Sequence, residues 1–194
     1  MDVPALLRKF PRIATLNDGH QVTIRPLKPD DDAALHQFFL RVPEEDRFYL
    51  NNDVTAPEVI REFTGNISMD VAIPLVAVSN DKIVADSTLH RSRRASRRHV
   101  GELRIVVDTE YRGRGLGARL IDELIQLGVD LGLERLVFEL VDRREIPAIQ
   151  AAKASGFEQV AVLEGRVRDM YGIMQDLVIL ELPLEEEDPP HLDF

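Results

Sequence analysis

The stretch Arg112-Gly113-Arg114-Gly115-Leu116-Gly117-Ala118 decides how the rest of the chain is interpreted. It follows an aliphatic segment, Leu103 to Val107, and precedes an amphipathic helix that we predict from Gly115 onward. Glycine lets the backbone approach a ligand closely, and the first turn of a helix carries unpaired N–H groups at the positive end of its dipole. The stretch therefore predicts an anion cradle of the kind that holds a phosphate or pyrophosphate.

The composition is typical of a soluble globular protein with one domain. The chain has 194 residues, of which 44% are hydrophobic and 30% charged, with no apolar run long enough for a membrane helix. A net charge of −10 argues against a nucleic-acid partner, and the lack of cysteine excludes disulfides and thiol nucleophiles. Because the N-terminus has no signal-peptide pattern, we expect a cytoplasmic protein without a membrane partner. We expect one domain over residues 19–183, between an N-terminal extension (1–18) and an acidic tail (184–194).

The order of predicted elements indicates a mixed α/β sheet. Hydrophobic periodicity and turn signals predict strands at 21–25, 74–79, 82–90, 100–107, 135–141, 157–163 and 176–182. They predict helices at 3–9, 30–40, 57–64, 115–131 and 146–155. Asn80-Asp81 is the turn of a hairpin, whereas the strand–helix–strand order over 100–141 implies a parallel pair. The predicted fold is a mixed, mostly antiparallel sheet with helices on both faces.

The sequence of the glycine stretch can be compared with the motifs of three kinds of phosphate-ligand site. A nucleotide loop of the Walker type ends in Gly-Lys-Ser or Gly-Lys-Thr, and Gly115-Leu116-Gly117 offers neither side chain, which excludes it. A Rossmann dinucleotide fingerprint matches as Gly113-x-Gly115-x-x-Ala118, with Glu139 or Asp142 as the ribose acid. However, the segment 108–112 separates the strand from the first glycine, and an antiparallel hairpin precedes it. Both features disfavour the Rossmann interpretation.

The third ligand follows from a family resemblance. The pattern Arg112-x-x-Gly115-x-Gly117, between Ile105-Val106-Val107 and a leucine-striped helix, resembles the central motif of the GNAT acyltransferases. Gly156-Phe157, which closes a short helix after the next strand, is similar to the following motif of that family. The resemblance covers about Gly19 to Leu182, and it agrees with the predicted element order.

Within that family, the chain is most similar to the acetyltransferase domain of the bacterial protein-lysine acetyltransferases. The segments that carry this closer resemblance are Asp18-Gly19, Ile24-Arg25-Pro26-Leu27, Asp30-Asp31 and Glu102-Leu103-Arg104-Ile105-Val106-Val107. The resemblance implies a single-domain enzyme that transfers an acetyl group from acetyl-CoA to a primary amine, without a metal. The implied acceptor is a protein lysine, and the alternative is a small amine such as a polyamine or aminoglycoside.

The resemblance also implies a donor site between strands that splay apart. The backbone of 105–107 would pair with the pantetheine arm, and N–H groups of 113–118 would hold the pyrophosphate, with two arginines adding positive charge. The donor-binding residues so implied are Ile105, Val106, Val107, Arg112, Gly113, Arg114, Gly115, Leu116, Gly117 and Ala118.

Catalysis requires a base, because a lysine amine with a pKa near about 10.4 is protonated at neutral pH. By resemblance that base is Glu102, on the strand that leads to the glycine stretch; the alternative is an ordinary solvated strand residue. Many relatives also carry an asparagine and, seven residues later, a tyrosine that protonates the departing thiolate. Glu145 and Ala152 occupy these positions here. The lysine acetyltransferases also tend to lack the tyrosine, so Ala152 agrees with the closer resemblance.

The missing tyrosine leaves a different class open, namely a non-catalytic acyl-CoA sensor. Tyr49, Tyr111 and Tyr171 are either alternative proton sources or packing aromatics. The five histidines show no metal-ligand spacing. The arginine-rich segment 91–98 is either an exposed hairpin connection or a docking surface for an acidic acceptor protein or anionic substrate. A homodimer is one of the open oligomeric states.

Overall fold

The computed structural model describes residues 3–184, whose strands form one eight-stranded sheet. The strands are β1 (Arg12–Thr15), β2 (Gln21–Pro26), β3 (Ala72–Ser79), β4 (Lys82–Arg91), β5 (Val100–Val107), β6 (Arg135–Val141), β7 (Glu158–Arg168) and β8 (Met174–Pro183). The α-helices are α1 (Val3–Leu7), α2 (Asp32–Arg41), α3 (Glu44–Arg47), α4 (Pro57–Gly65), α5 (Leu116–Asp130) and α6 (Ile146–Ala154).

The spatial order of the strands is β1-β2-β3-β4-β5-β6-β8-β7, and every neighbouring pair is antiparallel except β5 with β6. The predicted mixed, mostly antiparallel sheet is therefore confirmed. The predicted hairpin turn between β3 and β4 has positive φ at both Asn80 (47°) and Asp81 (59°). This mirror-image turn matches the right-handed twist of the two strands that it joins.

Helices cover both faces of the sheet, as predicted. The leucine stripe of α5 is buried in the larger core, with Leu116, Leu120 and Leu124 almost inaccessible. On the opposite face, Phe38 of α2 and Ile60 of α4 belong to a second core. Each such side chain contributes about 1.5–3 kcal/mol by its burial. Alternate side chains along a strand point to opposite faces of the sheet, so the side chains of β5 pack into both cores.

The N-terminal segment contributes more structure than the sequence indicated. Besides the predicted helix, which ends at Leu7, it supplies the edge strand β1, and Val3 and Leu16 are buried in the larger core. The boundary expected after residue 18 lies in the turn between β1 and β2. The strand β1 escaped prediction because it has four residues and its Ile13 is 72% exposed, which leaves no hydrophobic alternation to detect.

Other differences concern short or terminal elements. The one-turn helix α3 was not predicted, and both strands of the β7–β8 hairpin are longer than expected. Of the expected acidic tail, 185–194 lies outside the described residues, and Leu184 is buried with its N–H bonded to the Glu134 carbonyl (2.9 Å). Across residues 3–184, no helix is long and apolar enough to span a bilayer.

Candidate active site

A gap opens in the sheet between β5 and β6. The two strands pair from Val100 to Leu103 only, and the rest of β5 continues without β6 beside it. The Asp108 N–H donates to the Val84 carbonyl of β4 (2.9 Å), so the backbone groups of 105 and 107 point away from β4, into the gap. In the part of the chain that the structure describes, no strand pairs with this edge. The gap is the splay expected from the sequence.

The glycine stretch lies where β5 leads into α5. Gly113 and Gly115 both have left-handed backbone conformations, with φ of 69° and 86°, which side-chain-bearing residues rarely adopt. Gly115 is the N-cap of α5, so the unpaired N–H groups of the helix begin directly after it. A Cβ added at Gly113 or Gly117 would meet no atom within 4 Å, so the front of this turn is open. The glycines that we expected to form an anion cradle therefore lie at the N-terminus of α5, with open space in front of them.

Residues of the N-terminal segment support the cradle from behind. The Asn17 N–H donates to the Arg114 carbonyl (2.9 Å), and a Cβ on Gly115 would lie 2.8 Å from Asn17 Oδ1. Asp18 Oδ2 accepts from Arg114 Nε (2.6 Å). This support was not predicted, because the turn signal Asn17-Asp18-Gly19 does not indicate a partner nearly a hundred residues away.

Arg112 and Arg114, which we expected to add positive charge, are both paired with carboxylates. Arg114 pairs with Asp18, and Arg112 donates to Asp46 Oδ2 (2.8 Å) and to the Val107 carbonyl (2.9 Å). Asp46 also binds Arg144, which follows β6, at 2.5 Å. Asp46 of α3 thus links the segment that follows β5 to the segment that follows β6. It lies where the gap between these two strands opens.

Glu102 lies on β5 opposite His90 of β4 and Val137 of β6. Its side chain points to the face of α2 and α4, because Leu103 belongs to the larger core and Val106 packs on the second core. Arg104 binds Glu102 Oε1 through Nε (3.1 Å) and Nη2 (2.9 Å). The Glu102 side chain is 40% exposed, so the carboxylate is accessible at the rim of this face.

A second carboxylate on this face was missed in the sequence. Asp86 lies on β4 opposite Val106, and its Oδ1 is buried with no hydrogen-bond partner within residues 3–184. Burial raises the pKa of Asp86 to about 7. The available signal was a single acidic residue inside a strand that is otherwise apolar or uncharged from Ile83 to Leu89.

Glu145 and Ala152, which replace the asparagine and tyrosine of many relatives, both make contacts within the fold. The Glu145 Oε2 accepts a hydrogen bond from the Val141 N–H (2.5 Å) at the end of β6, and burial raises the pKa of Glu145. Ala152 is completely buried in the larger core. Neither position supplies a hydroxyl to the gap.

The three tyrosines differ in their surroundings. Tyr111 packs beneath Arg114, whose guanidinium carbon lies 4.7 Å from the ring centroid, and Tyr171 is 71% exposed and donates to Glu45 (3.2 Å). The Tyr49 hydroxyl is buried without a described partner, and the Arg144 guanidinium lies 5.5 Å from its ring. Both Tyr49 and Tyr171 line a cavity of about 370 Å³ past the end of β6, with Glu45, Arg143, Arg144, Asp169, Met170 and Gln175.

The arginine-rich segment lies beside Glu102. It connects β4 to β5 directly beyond the pair His90–Glu102, and its residues 93–99 are exposed around a short 3₁₀ turn. The exposed positive charge agrees with both interpretations of this segment, a solvated connection and a docking surface. As for metals, the described residues contain no cluster of three histidine or acidic side chains that could hold an ion.

Comparison with known families identifies the chain. The Acetyltransferase (GNAT) family matches residues 33–157, which is more than half of the sequence and includes β5, the gap and the cradle. The chain belongs to the GNAT family of acetyltransferases, and it is an N-acetyltransferase that uses acetyl-CoA. The open cradle and the unpaired edge of β5 are compatible with this cosubstrate, because both offer backbone donors to a ligand.

Solved structures have the same fold. The GNAT-family acetyltransferase of Streptococcus pneumoniae is 27% identical, with a TM-score of 0.74 over 84% of this chain and 99% of that one. The GNAT domain of PAT from S. lividans is 21% identical, with a TM-score of 0.73 over 90% and 97%. The acetyltransferase yncA of Salmonella typhimurium, described with its cofactor acetyl-CoA, is 20% identical, with a TM-score of 0.72 over 89% and 99%.

Proposed function

We propose that this N-acetyltransferase acts on a primary amine, and that its acceptor is the lysine side chain of a protein. The main support for this proposal is that three features meet on one strand, β5. Its edge opens into the gap, its end leads into the glycine cradle, and its face toward α2 and α4 presents Glu102. A donor and an acceptor brought to the same strand would meet without a large movement of either.

The donor would be held by backbone groups. The peptide groups of Ile105–Val107 that point into the gap would pair with the pantetheine arm, as an added strand would. The N–H groups from Gly113 to Ala118 would bind the pyrophosphate, with Leu116 opening the helix. Acetyl-CoA supplies an activated thioester carbonyl, and the role of these residues is to fix its position.

The acceptor, unlike the donor, would be contacted by side chains. Glu102 is the proposed base that takes a proton from the acceptor nitrogen as the new bond forms. Arg104 holds Oε1, and no described hydrogen bond reaches Oε2 within residues 3–184, which leaves that oxygen for the acceptor. The cationic Arg104 also keeps Glu102 oriented.

A protein acceptor is favoured by the exposure of this rim. Glu102 is accessible from solvent, and the arginine-rich segment beside it offers positive charge to an acidic protein surface. The cavity of about 370 Å³ that Tyr49 and Arg144 line is the observation in favour of the alternative, a small-amine acceptor. The cytoplasmic location and the oligomeric state remain predictions from the sequence.

The test is acetyl-CoA consumption with a panel of amines. Binding of acetyl-CoA to the full chain is first measured by calorimetry, and release of free thiol is then followed with an acid-rich protein, a lysine peptide and a polyamine. Turnover on the protein and the peptide supports the proposal. Turnover on the polyamine alone supports the small-amine alternative. Binding without turnover on any amine contradicts the proposal and favours the acyl-CoA sensor.

A further inference from the structure

Two carboxylates flank the place where the sheet opens. On the face of α2 and α4, Asp86 is the register partner of Val106, and Glu102 is the partner of His90. The pair between them is Thr88 with Arg104. Each carboxylate-bearing residue is two positions along its strand from that middle pair, which corresponds to about 7 Å. Because β5 leaves β6 after Leu103, the middle pair lies at the beginning of the gap.

The two carboxylates differ in what neutralises them. Glu102 is bound by Arg104, whereas no hydrogen bond or cation reaches Asp86 Oδ1 in the described chain. A buried carboxylate without a cation is costly to a protein, and such groups concentrate at functional sites. Glu102 therefore has a partner before any ligand arrives, and Asp86 does not.

Within residues 3–184, the neighbours of Asp86 provide no alternative partner for it. The titratable groups on this face of its own strand and of β5 are His90, Glu102 and Arg104. On β2, Arg25 is the register partner of Val76 and is bound to Asp31 (2.6 and 2.8 Å). The helix α2, which packs on β4, buries Leu35, Phe38 and Phe39, and its charged Arg41 is bound to Asp108 (2.8 Å) and to the Ile83 carbonyl (2.6 Å). The helix α4 buries Ile60 and Thr64, and β3 presents Val76 opposite Asp86. Among residues 3–184, no cation is paired with Asp86.

We propose that Asp86 is a second catalytic carboxylate, which binds the incoming ammonium group of the acceptor and takes the proton that turns it into a free amine. The inference rests on the proposed function and deepens it, because it assigns a different proton to each carboxylate. An ammonium acceptor loses two protons during acetylation, and the two carboxylates stand on either side of the position that it would occupy.

An N–H bond of the ammonium breaks and an O–H bond forms on Asp86, which later returns this proton to water. The freed nitrogen lone pair forms the bond to the acetyl carbon, and the carbon–sulfur bond breaks with its electrons on sulfur. The second nitrogen proton passes through Glu102 to the sulfur. The products are the amide, the CoA thiol and one proton.

The test compares two acceptors that differ in protonation. One is a lysine peptide, and the other is the same peptide with an aminooxy group in place of the amine, which is unprotonated at neutral pH. We expect Asp86→Asn to lower kcat/KM about 100-fold for the lysine peptide and less than about threefold for the aminooxy peptide. Glu102→Gln should slow both acceptors, because both lose a proton during bond formation.

The pH profile provides a second readout. With the lysine peptide, the wild-type rate should rise as the pH passes through about 7, where Asp86 becomes ionised, and the Asp86→Asn variant should lose this rise. The matched control is Asp31→Asn, which changes a buried aspartate outside the site. Asp31 is bound to Arg25 (2.6 and 2.8 Å), so this variant should be less stable but retain the wild-type ratio between the two acceptors.

Three outcomes would overturn the inference. A wild-type rate on the lysine peptide in Asp86→Asn removes it and leaves the proposed function in place. An equal loss on both acceptors assigns Asp86 a structural role and also removes it. A wild-type enzyme that binds acetyl-CoA but acetylates neither peptide overturns the proposed function, and the inference is lost with it.

Discussion

The edge of β5 and its face toward α2 and α4 present different chemical groups. Toward the gap and the cradle, the chain offers peptide groups and glycines, whereas toward α2 and α4 it offers the side chains of Asp86, Glu102 and Arg104. A site made of backbone depends on φ and on the absence of side chains, so changes of geometry damage it. A site made of carboxylates depends on charge and proton transfer, so an isosteric change damages it. Each of the following substitutions tests one side of this contrast.

The largest expected effect is on the side-chain face. Glu102→Gln keeps the shape of the side chain but removes its capacity to accept a proton. We expect turnover to fall by about 10²–10⁴-fold, the usual contribution of a general base, with the calorimetric affinity for acetyl-CoA unchanged. The control is Glu139→Gln, an equally conservative change of an exposed residue on β6. Near-normal turnover in Glu102→Gln would remove its assignment as the base.

The second effect is on stability and has a defined pH dependence. The pKa of Asp86 is about 7 in the folded protein and near about 3.9 unfolded, so the folded state binds more protons between these values. The free energy of unfolding therefore falls as pH rises from about 4 to 7, by up to about 4 kcal/mol. Asp86→Asn removes this loss, and it should be the more stable protein at pH 8.

Asp31 provides the opposite case for the same measurement. Burial raises its pKa, but the hydrogen bonds from Arg25 and the Lys28 N–H outweigh this and lower the pKa of Asp31 overall. Its contribution to stability is thus present above the unfolded pKa and disappears as pH falls through the folded value. Asp31→Asn should destabilise the protein at pH 8. Denaturant melts of both variants at pH 3, 5 and 8 measure the contrast, because the contribution of Asp31 is lost only below about pH 4, whereas that of Asp86 changes between about pH 4 and 7. Equal pH dependence in wild type and Asp86→Asn would contradict it.

The third effect is on the backbone-made site. Gly115→Ala imposes a side chain at φ of 86°, which costs about 1–2 kcal/mol, and places its Cβ 2.8 Å from Asn17 Oδ1. We expect the calorimetric Kd for acetyl-CoA to rise about tenfold, with kcat at saturation nearly unchanged. Gly65→Ala is the control, since a Cβ there meets no atom within 4 Å and φ is not positive. Loss of kcat with unaltered affinity would contradict a purely donor-binding role.

The smallest effect concerns the arginine-rich segment. Replacing Arg93, Arg94 and Arg97 with serine removes exposed charge beside Glu102. We expect the KM for an acid-rich protein to rise about threefold at low salt and to approach the wild-type value at high salt, because exposed charges are screened. A neutral lysine peptide is the control acceptor, whose KM should not change. An unchanged KM for the acidic protein would identify the segment as a plain connection.

Much of the fold could be predicted because its signals are local. The leucine spacing from Leu116 to Leu127 and the Asn80-Asp81 turn each lie within one element or one connection, and the structure confirms the elements that they indicated. The strand β1 and the helix α3 could not be predicted in this way. They are too short to bury a periodic face, and α3 is also bound through Asp46 to Arg112 and Arg144, which are distant in sequence.

The sequence by itself determined the proposed donor side of this protein. A backbone-made site needs glycines and a helix start in an unbroken run, and residues 112–118 contain all of these. Only the tertiary structure decided the proposed acceptor side, where Asp86 and Glu102 belong to different strands. The physical reason is that charge and burial depend on which groups the fold places around a side chain. An aspartate inside an apolar strand gives the same sequence pattern whether or not a cation faces it, and among residues 3–184 no cation is paired with Asp86.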